Sequence, residues 1–242
     1  MMLHEDFQFK KDFEVGSYQV HPNGQISLCS LADLLQEIAW KHADSEDFGR
    51  TLLDEKQMWV LSRFEIQVSQ FPSWGDRVRL FTGGRGAARA FAFREFMVWN
   101  EHEKVIARAM SSWLLVHTET KRILKPELVL PPQLFDPSKA PSWQPEKLQA
   151  QGEILDAREL VVQYSDLDVY HHVNNTSYIR WVENLLAEKG IFPATISINY
   201  LAECKEGETV FLTLSGVGGE RFVEGRVGEK SVFLARILFQ AS

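Results

Sequence analysis

Two stretches of the chain repeat apolar residues at helical spacing. Between Ile26 and His42, Leu31, Leu34, Leu35, Ile38 and Ala39 fall at i, i+3, i+4, i+7 and i+8, one face of an amphipathic helix. Between Asn174 and Lys189, Tyr178, Trp181, Val182, Leu185 and Leu186 do the same. Asn174 or Asn175 supplies the N-cap of this second helix, and Gly190 lies just beyond its end. Each helix is followed by similar strand-like runs. The first set is Trp59 to Val68, a turn at Pro72 and Gly75, then Asp76 to Leu80; the second is Thr195 to Tyr200, a turn ending at Gly207, then Glu208 to Leu214. Two further runs close each half, Ala90–Trp99 with Val105–Val116 and Arg221–Val227 with Ser231–Gln240. Order, helix phase and turn residues agree, which predicts an internal duplication. Coincidence between two α+β segments is the alternative.

Between the halves, Pro126, Pro131, Pro132, Pro137, Pro141 and Pro145 crowd a segment that can be neither helix nor central strand. It reads as an extended linker draped over the surface. The expected organisation is an N-terminal half at 1–125, a proline-rich linker at 126–150 and a C-terminal half at 151–242. Short turns between strands predict antiparallel sheets, each wrapped on one long helix, an α+β fold.

Composition narrows the function classes. The chain has 242 residues with an ordinary globular mix, and sixteen Phe and seven Trp are ample core material. A net charge of −7 argues against a nucleic-acid binder. No apolar run is long enough to span a membrane. The opening MMLHEDFQFKKDF carries acids and no apolar core, so it does not read as a secretory signal. Cys29 and Cys204 are far apart and form no CxxC pair, which suggests a reducing compartment, read here as the cytoplasm.

The densest polar cluster runs from Tyr164 to Tyr178, between a strand and the start of the second helix. Asp166, Asp168, His171, His172, Asn174 and Asn175 lie within it. A helix start offers backbone N–H groups and a positive dipole end, so it can hold an oxyanion. A nearby carboxylate or imidazole can act there as base or nucleophile. Taken alone, the cluster fits helix capping and surface histidines as well as catalysis. The matching point of the first half, Val20-His-Pro-Asn-Gly-Gln-Ile-Ser, lacks the carboxylates, which favours the second half as the active one.

The run Ser165-Asp-Leu-Asp-Val-Tyr-His-His-Val-Asn-Asn-Thr-Ser-Tyr resembles the D-x-D-x-x-x-H-V-N-N-x-x-Y signature of hot-dog-fold thioesterases. With Ile179-Arg-Trp-Val-Glu and Tyr200-Leu-Ala-Glu-Cys it is most similar to the acyl-ACP thioesterase family. In the first half, Trp59-Val-Leu-Ser-Arg and Phe71-Pro-x-Trp-Gly-Asp fit the same family, so the resemblance spans about residues 6 to 240. It implies a double hot-dog protein that hydrolyses fatty acyl groups from acyl carrier protein and so ends chain elongation. It places the catalytic Asp on Asp168, the His on His172 and a Glu-Cys pair on Glu203 and Cys204. The family commonly has Asn two residues after the Asp, where this chain has Tyr170; a phenol can donate a hydrogen bond but offers no amide carbonyl.

The implied chemistry is a water positioned and deprotonated by Asp168 and Glu203 with help from His172, the oxyanion being held at the start of the second helix. Attack by Asp168 itself through an anhydride is the rival route. Cys204 as nucleophile would need a paired imidazole; a buried structural cysteine is the commoner case. Asp166 and His171 are expected to face away, supporting the loop or touching solvent. The adjacent histidines lack a third ligand, so no metal is expected, and no cofactor is implied. The acyl tail is expected in the first half, near Trp40, Met58 and Trp59.

Five arginines and no acid lie between Arg77 and Arg94, a local basic stretch that could steer an acidic carrier protein. Alternating outward strand residues would give the same pattern. The Gly83-Gly-Arg-Gly run reads as a tight turn. A homo-oligomer is left open. Two other functions remain, a coenzyme A thioesterase on the same fold and a non-catalytic acyl-binding module, because function lives in the site and not in the fold.

Overall fold

A computed structural model of the chain describes residues 6–45, 52, 54–129 and 138–239. The chain divides into two compact units, residues 1–62 with 68–145, and residues 63–67 with 146–242.

The first unit carries β1 (Phe9–Glu14), α1 (Leu28–Ser45), the first part of β2 (Gln57–Val68), β3 (Arg77–Ala88), β4 (Phe91–Asn100), β5 (Val105–His117) and the short β6 (Ile123–Leu124). β1 pairs with β3, β3 with β4, β4 with β5 and β5 with β6, all antiparallel. The Ser27 hydroxyl accepts the Ser30 N–H at 3.0 Å and so starts α1. The apolar stripe expected from sequence is the buried one: Leu31, Leu34, Leu35 and Ile38 are all inside, and the helix lies on β1 and β3.

The second unit carries β7 (Glu153–Val161), α2 (Asn175–Ala187), β8 (Thr195–Tyr200), β9 (Thr209–Val217), β10 (Glu220–Val227) and β11 (Lys230–Leu238). Its sheet runs in the order β2 (residues 63–67), β8, β11, β10, β9, β7, again antiparallel. Asn174 caps α2. Tyr178 and Trp181 of α2 pack on Phe233 of β11, with ring centroids 5.3 and 6.4 Å apart. One long helix on an antiparallel sheet, made twice, is the expected hot-dog architecture.

The duplication extends to single hydrogen bonds. Before each helix the chain makes the same closed turn, bridged by Val20 with Ile26 in one unit and Leu167 with Val173 in the other. Within it, the His21 N–H donates to the Gln25 carbonyl at 2.8 Å, as Asp168 does to His172 at 2.8 Å. The chain beyond each helix returns to this turn, where the Ile26 N–H reaches the Pro72 carbonyl and the Val173 N–H reaches the Cys204 carbonyl. The following turns are capped alike, Ser73 N–H on Asp76 Oδ2 and Lys205 N–H on Glu208 Oε2, both at 2.8 Å.

Two expectations fail in the first unit. The Gly83-Gly-Arg-Gly run is no turn; it lies inside β3, paired to β4 as far as Arg85. The register then shifts between Arg85 and Ala87, and the Gly86 N–H turns to the Lys139 carbonyl at 2.6 Å. A glycine run favours turns only when no neighbouring strands fix it. Here a Cβ on Gly83 would meet the Arg85 guanidinium at 2.7 Å and the Gln8 side chain at 3.0 Å, so this glycine leaves room for the buried Arg85 and for Gln8, which precedes β1. Nor do the arginines make one basic patch. Arg79 forks onto Asp12 at 2.7 and 3.1 Å. Arg85 is buried on Glu95 at 2.7 Å. Arg94 binds Thr82 and His42.

The proline-rich segment forms one short 3₁₀ turn at Pro126–Leu128. From residue 138 on it is irregular yet pinned. Ser142 Oγ donates to Glu95 at 2.6 Å, and Asn199 accepts the Leu148 N–H and donates to the Glu146 carbonyl.

Candidate active site

The site is built on the closed turn that precedes α2. Asp168 Oδ1 accepts the Tyr170 N–H at 2.8 Å and the His172 N–H at 3.2 Å, so this carboxylate ties down the backbone of the residue four positions on. Asp168 and His172 are half-buried. Glu203 arrives from the loop after β8, held in place by the neighbouring Val173 N–H to Cys204 carbonyl bond at 3.3 Å. Its Oε2 lies 3.5 Å from His172 Nε2. The fold thus brings together the three residues picked from the sequence. Each keeps access to solvent, as a hydrolytic site requires.

Cys204 belongs to a different environment. It is fully buried, and burial pushes its thiol up from the ordinary value, away from a thiolate. Its hydrogen-bonding partner is the Tyr178 phenol, itself raised by burial. Cys204 has the character of a core residue.

The helix start offers fewer donors than the sequence suggested. The Asn174 N–H is spent on the Asp166 carbonyl at 2.8 Å. The Thr176 N–H goes to the Asn174 side chain at 3.2 Å and the Ser177 N–H to the Asn174 carbonyl at 2.9 Å. The capping that stabilises α2 consumes these groups, leaving the Asn175 N–H as its leading donor.

Asp166 supports the loop from inside, buried at 5% exposure. Its Oδ1 accepts Arg180 Nη2 at 2.7 Å and Trp181 Nε1 at 3.4 Å. His171 is exposed, with a left-handed backbone (φ 59°). Sequence reasoning missed Arg180; the signal was Ser177 and Arg180 three apart on one helix side, facing back over the loop.

The equivalent place in the first unit lacks the acids. His21 stands for Asp168 and Gln25 for His172, and Phe71, just before Pro72, stands for Glu203. That trio contains no carboxylate. Elsewhere, Trp40 is exposed, whereas Met58 and Trp59 are half-buried, Trp59 against Leu52 and Leu115. Among the described residues no group of three or more His, Cys, Asp or Glu is placed to hold a metal ion. None of their helices is long and apolar enough to cross a membrane, which says nothing of β-barrels.

Residues 6–129 match the N-terminal domain of acyl-ACP thioesterases and residues 150–225 the C-terminal domain. The chain belongs to the acyl-ACP thioesterase family. Within the family it is 27% identical to the chloroplastic oleoyl-acyl carrier protein thioesterase 1 of Arabidopsis thaliana, over 90% of this chain and 67% of that protein. It is 28% identical to the chloroplastic dodecanoyl-[acyl-carrier-protein] hydrolase of Cinnamomum camphora, over 91% of this chain and 62% of that one. The chain therefore spans about two thirds of the length of these curated relatives. Among solved structures, the 12:0-ACP thioesterase of Umbellularia californica superposes with a TM-score of 0.82 at 25% identity, covering 95% of this chain and 96% of that one. An acyl-ACP thioesterase from Bacteroides thetaiotaomicron gives 0.83 at 23% identity, covering 96% and 97%, which shows the shared fold.

Proposed function

We propose that this protein is a thioester hydrolase that releases free fatty acid from fatty acyl-[acyl carrier protein] and so terminates elongation. The observation that carries the reading is the approach of His172 Nε2 to Glu203 Oε2, 3.5 Å apart, on the unit whose loop also holds Asp168. Family membership and relatives named as acyl carrier protein thioesterases support the substrate class.

In this mechanism Asp168, through the oxygen not held by the backbone, and Glu203 position and polarise a water beside His172. The water oxygen attacks the thioester carbonyl as its proton passes to the imidazole, and Glu203 stabilises the resulting cation. The Asn175 N–H, at the positive end of α2, faces the developing oxyanion. Collapse breaks the C–S bond, and the imidazolium returns its proton to the leaving thiolate. No covalent role falls to Cys204.

The N-terminal half holds the acyl tail and the C-terminal half carries the chemistry, with the boundary inside residues 126–150. Its partner is an acidic acyl carrier protein. A cytoplasmic, reducing location belongs to the same proposal and is supported by two buried, unlinked cysteines. The decisive test offers the purified protein matched acyl-carrier and coenzyme A esters of several chain lengths. Faster release from the carrier, with Asp168→Asn inactive, is the expected result. Preference for coenzyme A would move the substrate assignment, and no release from either would leave an acyl-binding module.

A further inference from the structure

The loop bearing Asp168 and His172 is fixed at both ends by one buried residue. Asp166 Oδ2 accepts the Gln163 N–H at 2.9 Å, where the loop begins. Its backbone carbonyl accepts the Asn174 N–H at 2.8 Å and Ser177 Oγ at 3.0 Å, where the loop ends. From α2, Arg180 Nη2 reaches both Asp166 Oδ1 at 2.7 Å and Ser177 Oγ at 2.9 Å, and the Trp181 indole adds a longer bond at 3.4 Å.

The first unit is a control for this arrangement within the same molecule. There Gln19 plays the part of Asp166: its side chain accepts the Gly16 N–H at 2.9 Å and its carbonyl the Ser27 N–H at 2.9 Å. The turn is the same. Asp33 stands where Arg180 would be, and Leu34 where Trp181 would be. A neutral residue therefore suffices for the shape: Gln19 carries no charge to pair, whereas the half that carries Asp168, His172 and Glu203 has the Asp166–Arg180 ion pair.

We infer that Asp166 and Arg180 are positioning residues of the thioesterase reaction. Their charge-assisted bond locks the loop to α2 and keeps the His172 imidazole in register with Glu203. Trp181 extends the lock, because its ring packs on Tyr178 at 4.9 Å and the Tyr178 phenol bonds Cys204, next to Glu203. One rigid group thus backs both members of the His172–Glu203 pair. Small misplacements at a reacting centre cost rate far more than they cost binding.

This inference rests on the proposed reading of the site, and Arg180→Met and Arg180→Lys test it with acyl-ACP as substrate. The Arg180 side chain is 42% exposed but that of Asp166 is only 7%. Arg180→Met therefore leaves a buried carboxylate without its cation and is expected to melt lower than the parent, with Arg180→Lys close to it. Both are assayed well below their melting temperatures. In Arg180→Met, kcat is expected to fall about tenfold with KM within about twofold, and Arg180→Lys should recover most of that loss. Asp166→Gln should reproduce the Met variant, and it should fold because Gln19 already serves in that place. An unchanged kcat in Arg180→Met overturns the inference, as does a fall that vanishes when the rate is taken per folded molecule or that Lys does not relieve. If the parent itself releases no fatty acid, the site reading fails instead, which keeps the two failures distinct.

Discussion

Gly24 and His171 occupy the same left-handed position in the two closed turns, with φ of 81° and 59°. Glycine takes this conformation freely, whereas a residue with a Cβ is strained there. His171→Gly should therefore raise stability by up to about 1 kcal/mol, and Gly24→Ala should lower it by about 1 kcal/mol. Nothing lies within 4 Å of a Cβ added at Gly24, so the loss would come from the backbone alone. Urea unfolding of both variants reads the two signs; equal signs would refute the strain argument.

Asp168→Asn keeps an oxygen for the Tyr170 and His172 N–H groups and removes the charge. Turnover should drop at least about 100-fold with the fold intact, because the neutral amide no longer polarises the water that His172 deprotonates. Single-turnover hydrolysis in labelled water then separates the two routes in the parent protein. Label confined to the fatty acid supports water attack, and label in the Asp168 carboxylate means an anhydride formed.

Cys204→Ala tests the buried thiol. Loss of a small packed side chain and its Tyr178 hydrogen bond should cost about 1–2 kcal/mol of stability. The rate should change less than about threefold, because the raised thiol does not supply a nucleophile. Loss of turnover in this variant, with Asp168→Asn still active, would reverse the mechanism.

Arg85 and Glu95 form an ion pair with side chains only 4% and 8% exposed. Removing one partner leaves a buried charge, so Glu95→Ala should cost about 3–5 kcal/mol. It would also free the Ser142 hydroxyl that pins the linker. Asp12→Ala, which breaks the exposed pair with Arg79, should cost less than about 1 kcal/mol. Denaturant midpoints of the two variants should differ clearly; similar values would mean that the buried pair is solvated.

His42 is buried beside the Arg94 guanidinium, and burial first, then that charge, lowers its pKa to about 3. It stays neutral, with Nδ1 accepting from Arg94 at 3.0 Å. The unfolded chain takes up this proton near pH 6.5 and the folded chain only near 3, so stability is full above about 6.5 and falls as pH drops. The slope for this one group is about 1.4 kcal/mol per pH unit across that window. His42→Gln keeps an acceptor for Arg94 and should flatten the fall of melting temperature between pH 6.5 and 4.5. An unaltered slope would locate the acid sensitivity elsewhere.

Local pattern was sufficient for much of the protein. Both helices, their apolar faces and most strands follow from the spacing of residues such as Leu31, Leu35, Tyr178 and Trp181, since side-chain period is fixed by backbone geometry. The duplication and the Asp168–His172 turn were also legible, being contained in short contiguous runs. Tertiary structure decided what depends on neighbours far along the chain. Strands on either side made the Gly83-Gly-Arg-Gly run part of β3, and the partners Asp12, Glu95 and His42 dispersed an arginine stretch that looked like one surface. Capping by Asn174 withdrew helix N–H groups that sequence counted as open. Glu203 gained a partner only because the chain returns after β8 to hydrogen-bond Val173, and Arg180 gained its meaning only from the buried carboxylate of Asp166. Periodicity is written residue by residue, but a charge acquires its role from whatever the fold sets opposite it.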